Sequence, residues 1–400
     1  MRREILALCF VTGLILGCAY VPSTRIDYMD RWKDKLYVVT GDPCIKILDP
    51  KSNRLIKKSY IPGSDWRYIK VALREDDHLI LQVSKSSMVI PTLETQLFLV
   101  DEQGEVKSSG LIIENAERLT GVDNNYYYFI RAYSPTKANE GFRYKGFRYD
   151  RQTKERTDCH FGESPDLVVV NMWKDETHYW YVCLYDFGTD PVPVGKKLAL
   201  VSKSIDGREY KRYFLDDGHF HNVHITGDKD SVWIFSSNRM IKFSKKMEAV
   251  EAIKDTGWIF PIGTYTSSEI SDFLWGFKVR NGLFNEIYRI KKANLELQPL
   301  TLKDMRLPDD FNRKVMYHPY FMGICADEEY IWTGIPLKRF STYGNYIPQI
   351  LRLSKRDFSS ELFTLQPTFG EAIHTVSMNF LDDLTLPFMA IFFLIFGPPH

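Results

Sequence analysis

The chain has 400 residues, 44% of them hydrophobic and 26% charged, with 52 Lys and Arg set against 51 Asp and Glu. A formal charge of +1 excludes the electrostatic footprint of a nucleic-acid binder. The length suffices for a large core in one or two domains, and an aromatic content of 14% leans toward β-structure.

The first element in chain order is a short positive start, Met1-Arg2-Arg3, followed by an apolar stretch over residues 5–16 and by Ile15-Leu16-Gly17-Cys18. This run resembles a bacterial lipoprotein signal, with an aliphatic residue three places before the Cys and Gly immediately before it. The resemblance implies that residues 1–17 are a signal peptide and that Cys18 becomes the first mature residue. Cys18 would then carry acyl chains such as palmitate and tether the protein to a lipid bilayer. Ala19 follows Cys18 where Asp would retain a diderm lipoprotein at the inner membrane, so the same resemblance favours an outer-membrane lipid anchor, facing the periplasm or the surface. The alternatives are an ordinary cleaved secretory signal, since Gly17-Cys18-Ala19 fits a small-residue cleavage site, and an uncleaved anchor. The apolar stretch is too short to span a bilayer by itself. Each buried methylene of an acyl chain contributes about 0.8 kcal/mol, so two or three chains hold stably.

After residue 30 nearly every segment reads as a short β-strand bounded by Asp, Asn, Gly, Lys and Pro. A unit recurs: a polar turn, an apolar strand, a variable loop, and an alternating strand that runs into a polar hairpin. The apolar strands are LYVVT at 36, LILQVS at 79, YYYFIRA at 126, YWYVCL at 179, VWIFS at 232, FLWGFKV at 273 and YIWTG at 330. Their partners begin at Ile45, Gln96, Gly146, Leu198, Met240, Glu286 and Gln349. Apolar runs such as YIKVAL, DLVVVNM and NVHIT precede the polar turns and supply a further strand. Starts spaced by 41 to 57 residues suit four-stranded blades. The predicted fold is therefore all-β, a β-propeller of seven four-stranded blades over residues 18–366, with a hydrophobic C-terminal tail over 367–400. Two β-sandwiches would account for the strands but not for the repeat, and six or eight blades are the neighbouring alternatives. In architecture the chain resembles propeller lipoproteins over roughly residues 20–366, although it carries no WD, kelch or PQQ-type signature.

Beyond Gln366-Pro367 the pattern breaks, and residues 388–396 are all apolar. That run is far below the ~20 residues a membrane helix needs. It packs under the propeller, dips into lipid beside the anchor, or docks on a partner. Both lipid-seeking ends of a ring are expected on one side, which would turn the loops on the opposite face toward a partner.

Of six cysteines, Cys9 leaves with the signal and Cys18 is the lipidation site. Cys44, Cys159, Cys183 and Cys325 allow three pairings, or buried thiols without a bridge. If one disulfide exists, Cys159 with Cys183 is the expected pair, because they fall in adjacent units. No CxxC spacing supports zinc.

For chemistry, the segment DDGHFHNVHITGD places His219, His221 and His224 close together beside Asp216 and Asp217. On an extended strand His219 and His221 share a face, which makes these three histidines the candidate metal ligands, with His160, His178 or His318 as further donors. The opposing expectation is solvated or hydrogen-bonded histidines and no cofactor. SIDGREY at Ser204 resembles the Asp-box of sialidases but lacks the residue between Asp and Gly and the closing Trp, so it reads as a hairpin turn. No nucleophile elbow, HExxH, phosphate loop or EF-hand is present, and no catalytic residue is assigned. Aromatic strings at Tyr126 and His178 read as packing between blades. Insertions at 133–145, 186–196, 312–320 and 336–348 are rich in Gly, Pro, Tyr and charge, as binding loops are. The expected function is a non-catalytic, membrane-tethered envelope scaffold that binds another envelope protein. A propeller enzyme or metal-dependent module acting on a glycan or peptide, and a glycan or small-ligand binder, are the alternatives.

Overall fold

The computed structural model describes residues 26–40, 44–62, 66–85, 94–114, 116–133, 143–158, 167–185, 197–217, 223–236, 239–257, 259–262, 271–280, 283–301, 304–306, 323–336 and 348–365. Among these there is no helix, and 28 strands form seven four-stranded antiparallel sheets, each made of consecutive strands. Blade 1 comprises β1 (Ile26–Trp32), β2 (Lys35–Thr40), β3 (Cys44–Leu48) and β4 (Leu55–Tyr60). Blade 2 comprises β5 (Trp66–Arg74), β6 (Leu79–Lys85), β7 (Thr95–Val100) and β8 (Val106–Ile113). Blade 3 has β9 (Glu117–Val122), β10 (Tyr126–Tyr133), β11 (Arg143–Asp150) and β12 (Arg156–Asp158). In blade 4 these are β13 (Leu167–Lys174), β14 (His178–Tyr185), β15 (Lys197–Ser204) and β16 (Tyr210–Asp217). Blade 5 contains β17 (His224–Gly227), β18 (Ser231–Phe235), β19 (Arg239–Ser244) and β20 (Ala249–Asp255). Blade 6 follows with β21 (Ile259–Pro261), β22 (Phe273–Arg280), β23 (Leu283–Lys291) and β24 (Leu297–Thr301). Blade 7 ends the series with β25 (Ile324–Ala326), β26 (Tyr330–Pro336), β27 (Pro348–Ser354) and β28 (Ser360–Thr364). The seven-bladed propeller read from the repeat is thus the fold, and the apolar strands of that repeat are the second strands of the blades.

Burial follows position in the blade. The central strands β2, β3, β18 and β19 are almost wholly buried, whereas the outer β4, β12 and β20 are largely exposed. The apolar core divides into seven clusters, and each joins two neighbouring blades. A sheet buries both faces only between two others, so no blade has a core of its own. The aromatic strings belong here: Tyr127, Tyr128 and Phe129, like Tyr179, Trp180 and Tyr181, are buried between blades.

Each hairpin between third and fourth strands turns through one residue in the left-handed region. Those residues are Asn53, Gly104, Lys154, Gly207, Glu248, Leu295 and Phe358, with φ between 52° and 78°. SIDGREY is one of these hairpins: Gly207 has φ 76°, and Asp206 accepts from the Ser204 hydroxyl at 2.6 Å.

A polar latch recurs between blades. The Asp opening the turn between first and second strands accepts two backbone N–H bonds through Oδ1 in blades 3, 4, 5 and 7, at Asp123, Asp175, Asp228 and Asp327. Its Oδ2 meets a cation from the next blade: Lys203, Lys245, Lys292 and Arg31, at 3.0, 2.6, 3.0 and 3.0 Å. Three of these cations also lie over a Trp of the Asp's own blade, Lys245 on Trp180, Lys292 on Trp233 and Arg31 on Trp332. Placing a cation between a carboxylate and a ring face offsets its loss of water. In blade 2 the acid is Glu75, gripped by Arg151 at 2.5 and 3.1 Å. Between blades 1 and 2 the polarity reverses, with Lys33 of blade 1 paired to Glu102 of blade 2.

Burial by itself would raise the Asp175 carboxyl, but Lys245, the Thr177 N–H and the Trp180 indole outweigh it and bring the value to about 2. A carboxyl more acidic when folded stabilises the fold above its unfolded value, and that stability is lost as pH falls through the folded value. With a side chain only 14% exposed, Asp175 contributes about 2 kcal/mol that is present at pH 5 and mostly gone near pH 2. Urea midpoints of wild type and Asp175→Asn are expected to differ clearly at pH 5 and to converge at pH 2.5. An equal gap at both values would show that the ion pair does not set the stability.

Among the described residues the ring closes without a shared strand. Ile26, Met29, Leu36 and Val38 of blade 1 pack directly on Cys325, Trp332 and Ile350 of blade 7. Blade 7 makes room with Gly334, where a Cβ would lie 3.0 to 3.2 Å from three atoms of Ile26.

Because strands alternate in direction, the turns between first and second and between third and fourth strands share one face. Connections between second and third strands and from blade to blade leave from the other. The described strands on either side of 134–142, 186–196, 307–322 and 337–347 end and resume at this second face, while those segments, which hold most of the four predicted insertions, lie outside the described residues. Ile26 opens β1 opposite Thr40, and Thr364 closes β28 opposite Gln349, so the outermost described strands also begin and end there. The strands that flank the insertions thus share a face with the ends of the outermost strands, as antiparallel order within a four-stranded blade requires, while the chain ends lie outside the described residues.

Candidate functional site

The first strands of successive blades lie side by side around the ring and line its channel. Their register defines a layer, level with the fifth residue of each second strand and toward the insertion-bearing face. At this level Arg118 is opposite Ile130, His224 opposite Phe235 and Phe260 opposite Phe277. In blades 1, 2 and 4 a β-bulge falls at the same height, where the register steps past Asp27, Lys70 and Val170. Such bulges re-aim a side chain out of the two-residue alternation. Blade 7 contributes Gly323, whose carbonyl accepts from the Gly334 N–H.

The layer is therefore lopsided in charge. Lys70 and Arg118 stand on adjacent blades 2 and 3, His224 on blade 5, and apolar side chains or Gly occupy blades 4, 6 and 7. Asp27 of blade 1 is the acid of the layer and is buried. Burial, together with the Arg118 charge, holds the His224 imidazole down to about 4. Blade 4 lies between the strands of Arg118 and His224, so the two residues stand at one level on either side of β13. The His224 ring makes an edge contact with Phe260 at 5.8 Å, and Phe260 stacks on Phe277 at 5.4 Å. Burial lowers the Lys70 ammonium to about 8.

Of the candidate metal ligands, His224 lies at this channel layer, and His219 and His221 fall outside the described residues. His178 opens β14 at the opposite face, where its ring nitrogen is 2.8 Å from the Thr177 hydroxyl, and His160 and His318 also fall outside. Among the described residues no three His, Cys, Asp or Glu side chains are grouped to hold a metal. Cys183 is buried on β14, while Cys159, Cys18 and the tail over 367–400 lie outside the described residues. No helix among the described residues is long and apolar enough to cross a membrane.

Arg118, Lys70 and Asp27 escaped the reading of the sequence. Their signal is a charged residue inside a first-strand run, as in YIKVAL, ERLTGV and IDYM.

No family model matches the chain, and no curated protein matches it. Among solved structures it is similar to the β-propeller domain of Cps50 (Swd1) from Myceliophteria thermophila, at 10% identity and a TM-score of 0.43, covering 86% of this chain and 97% of that one. It is also similar to Hsv2 of Kluyveromyces lactis, at 11% identity and a TM-score of 0.43, covering 86% and 98%. The computationally designed Ika8 protein gives 8% identity and a TM-score of 0.42, covering 86% and 97%.

Proposed function

We propose that this protein is an outer-membrane lipoprotein whose propeller is a non-catalytic platform for another envelope protein. The reading is supported by the strands that flank all four long insertions, which end and resume on one face of the ring. Loops on a stiff scaffold are where binding residues concentrate. Acylation of Cys18 adds a constraint on the partner. Cys18 precedes Ile26 by eight positions, a tether of at most about 26–29 Å when fully extended. Ile26 opens β1 on the insertion-bearing face, so this face stays close to the bilayer and suits a partner that is itself held in the membrane.

The test is site-specific photocrosslinking in intact cells. Probes within 133–145 and 186–196 are expected to give one discrete adduct, and probes at Gln152 and Lys229 on the opposite face none. Cys18→Ser is expected to abolish labelling by a fatty-acid analogue and to reduce the adduct. Equal adducts from both faces would remove the platform reading, and label retained in Cys18→Ser would remove the anchor.

A further inference from the structure

We propose that the channel mouth binds an oxyanion, a carboxylate or phosphate group, held between Arg118 and His224 with Lys70 beside them. The inference goes beyond the scaffold reading and survives its failure, since an anion bound in the channel requires no partner at the loops.

Three features of the layer carry it. First, three nitrogen-bearing side chains come from separate blades to one height. Arg118 and His224 stand at this height on β9 and β17, the first strands that flank β13, so both border the same stretch of channel. Second, the guanidinium is planar and presents a fork of donors that matches a carboxylate or phosphate edge, and the imidazole and ammonium add single donors. Third, the remaining walls bring little competing charge. Phe260 closes one side against His224, Val170 and Gly323 bring no charge, and Asp27 is the layer's acid on blade 1. Charge interactions in such a partly enclosed position are stronger than at an open surface. A divalent metal suits the place poorly, because the fixed Arg118 charge opposes a second cation beside His224.

The shared chemistry admits two sources: a free oxyanion of the envelope, or an acidic side chain that a partner inserts into the channel. Calorimetric titration of the full chain with inorganic phosphate, and separately with a short Asp-rich peptide, distinguishes them. Saturable phosphate binding is expected, with Arg118→Gln weakening it about tenfold or more and His224→Gln weakening it less. Lys229→Gln, on the opposite face, is expected to leave it unchanged. Phosphate that the peptide fails to displace points to a free anion, and a tighter peptide that phosphate displaces points to an inserted side chain. Arg118 is exposed, so the variant is expected to keep the wild-type melting curve. A readout on the unmodified chain stands beside it: phosphate is expected to slow modification of Arg118 by phenylglyoxal, followed by mass spectrometry. The proposal falls if the folded wild type shows no saturable heat with either probe up to about 20 mM. It also falls if Arg118→Gln binds as tightly as wild type, or if phosphate leaves the modification rate unchanged.

Discussion

Asp123→Ala is expected to lower the unfolding free energy by about 3–5 kcal/mol, among the largest losses available to a single substitution in this ring. The carboxylate is 1% exposed and serves five donors. Oδ1 accepts the Asn125 and Tyr126 N–H groups at 2.9 and 2.8 Å. Oδ2 accepts the hydroxyls of Tyr128 and Tyr181, both at 2.8 Å, and the Lys203 ammonium at 3.0 Å. Tyr181 and Lys203 belong to blade 4, so one side chain holds the blade 3 turn and joins the two blades. Alanine leaves two buried hydroxyls and a largely buried ammonium without their acceptor, and each loss carries its own desolvation cost. Asp123→Asn, which keeps an acceptor but not the charge, is expected to lose less. Urea unfolding measures both, and a loss below about 1 kcal/mol for the alanine would show that the cluster is not a structural joint. The pH dependence has a fixed sign. Burial raises the Asp123 carboxyl, but Lys203, Tyr181, the Asn125 N–H and Tyr128 outweigh it, and the net shift is downward. Its contribution is therefore present above the ordinary carboxylate value and is lost as the solution is acidified.

Trp332→Ala is expected to cost about 3–5 kcal/mol and to act on the seam between blades 7 and 1. The indole is fully buried in the cluster that closes the ring, with Tyr330 at 5.7 Å and the Arg31 guanidinium 5.5 Å from its ring centroid. Removing it leaves a cavity and takes the aromatic face from beneath Arg31, weakening the Arg31–Asp327 pair. Cys325 reports the result directly: it is a buried thiol of the same cluster, and burial pushes it well above the usual thiol range. Thiol labelling of the Cys325 peptide is expected to be slow in wild type and markedly faster in Trp332→Ala. A variant as stable and as slowly labelled as wild type would mean that the seam is held elsewhere.

The second strands and the outer hairpins of all seven blades were legible in the sequence, because each pairs an apolar run with a polar turn. The latches were not. Their acid and cation lie on different blades, as Asp175 and Lys245 do, and the role passes from Lys in three blades to Arg in two, with reversed charge between blades 1 and 2. In hindsight a Trp five residues after the Asp, at Trp180, Trp233 and Trp332, carries the signal. The recurring left-handed turn was hidden for another reason: only Gly104 and Gly207 advertise it, while residues such as Leu295 and Phe358 adopt the same conformation without a glycine's freedom. The channel layer was masked by its own geometry. Bulges at Asp27 and Lys70 break the alternation by which a strand is recognised, and the common level of Arg118 and His224 depends on how separate blades stand around the ring, which no local pattern encodes.

Closure by packing between the described strands of blades 7 and 1 gives the ring no privileged origin. Every blade is assembled from neighbours in the chain, and Ile26 and Leu365 meet in the same apolar cluster. Among the described residues the seam is joined as other junctions are, by an apolar cluster and an Asp–cation latch, without a peptide link. Bridging 365 to 26 and cutting instead between β12 and β13 would preserve all 28 strands and all seven interfaces. Circular order, rather than a fixed first blade, is what this architecture conserves.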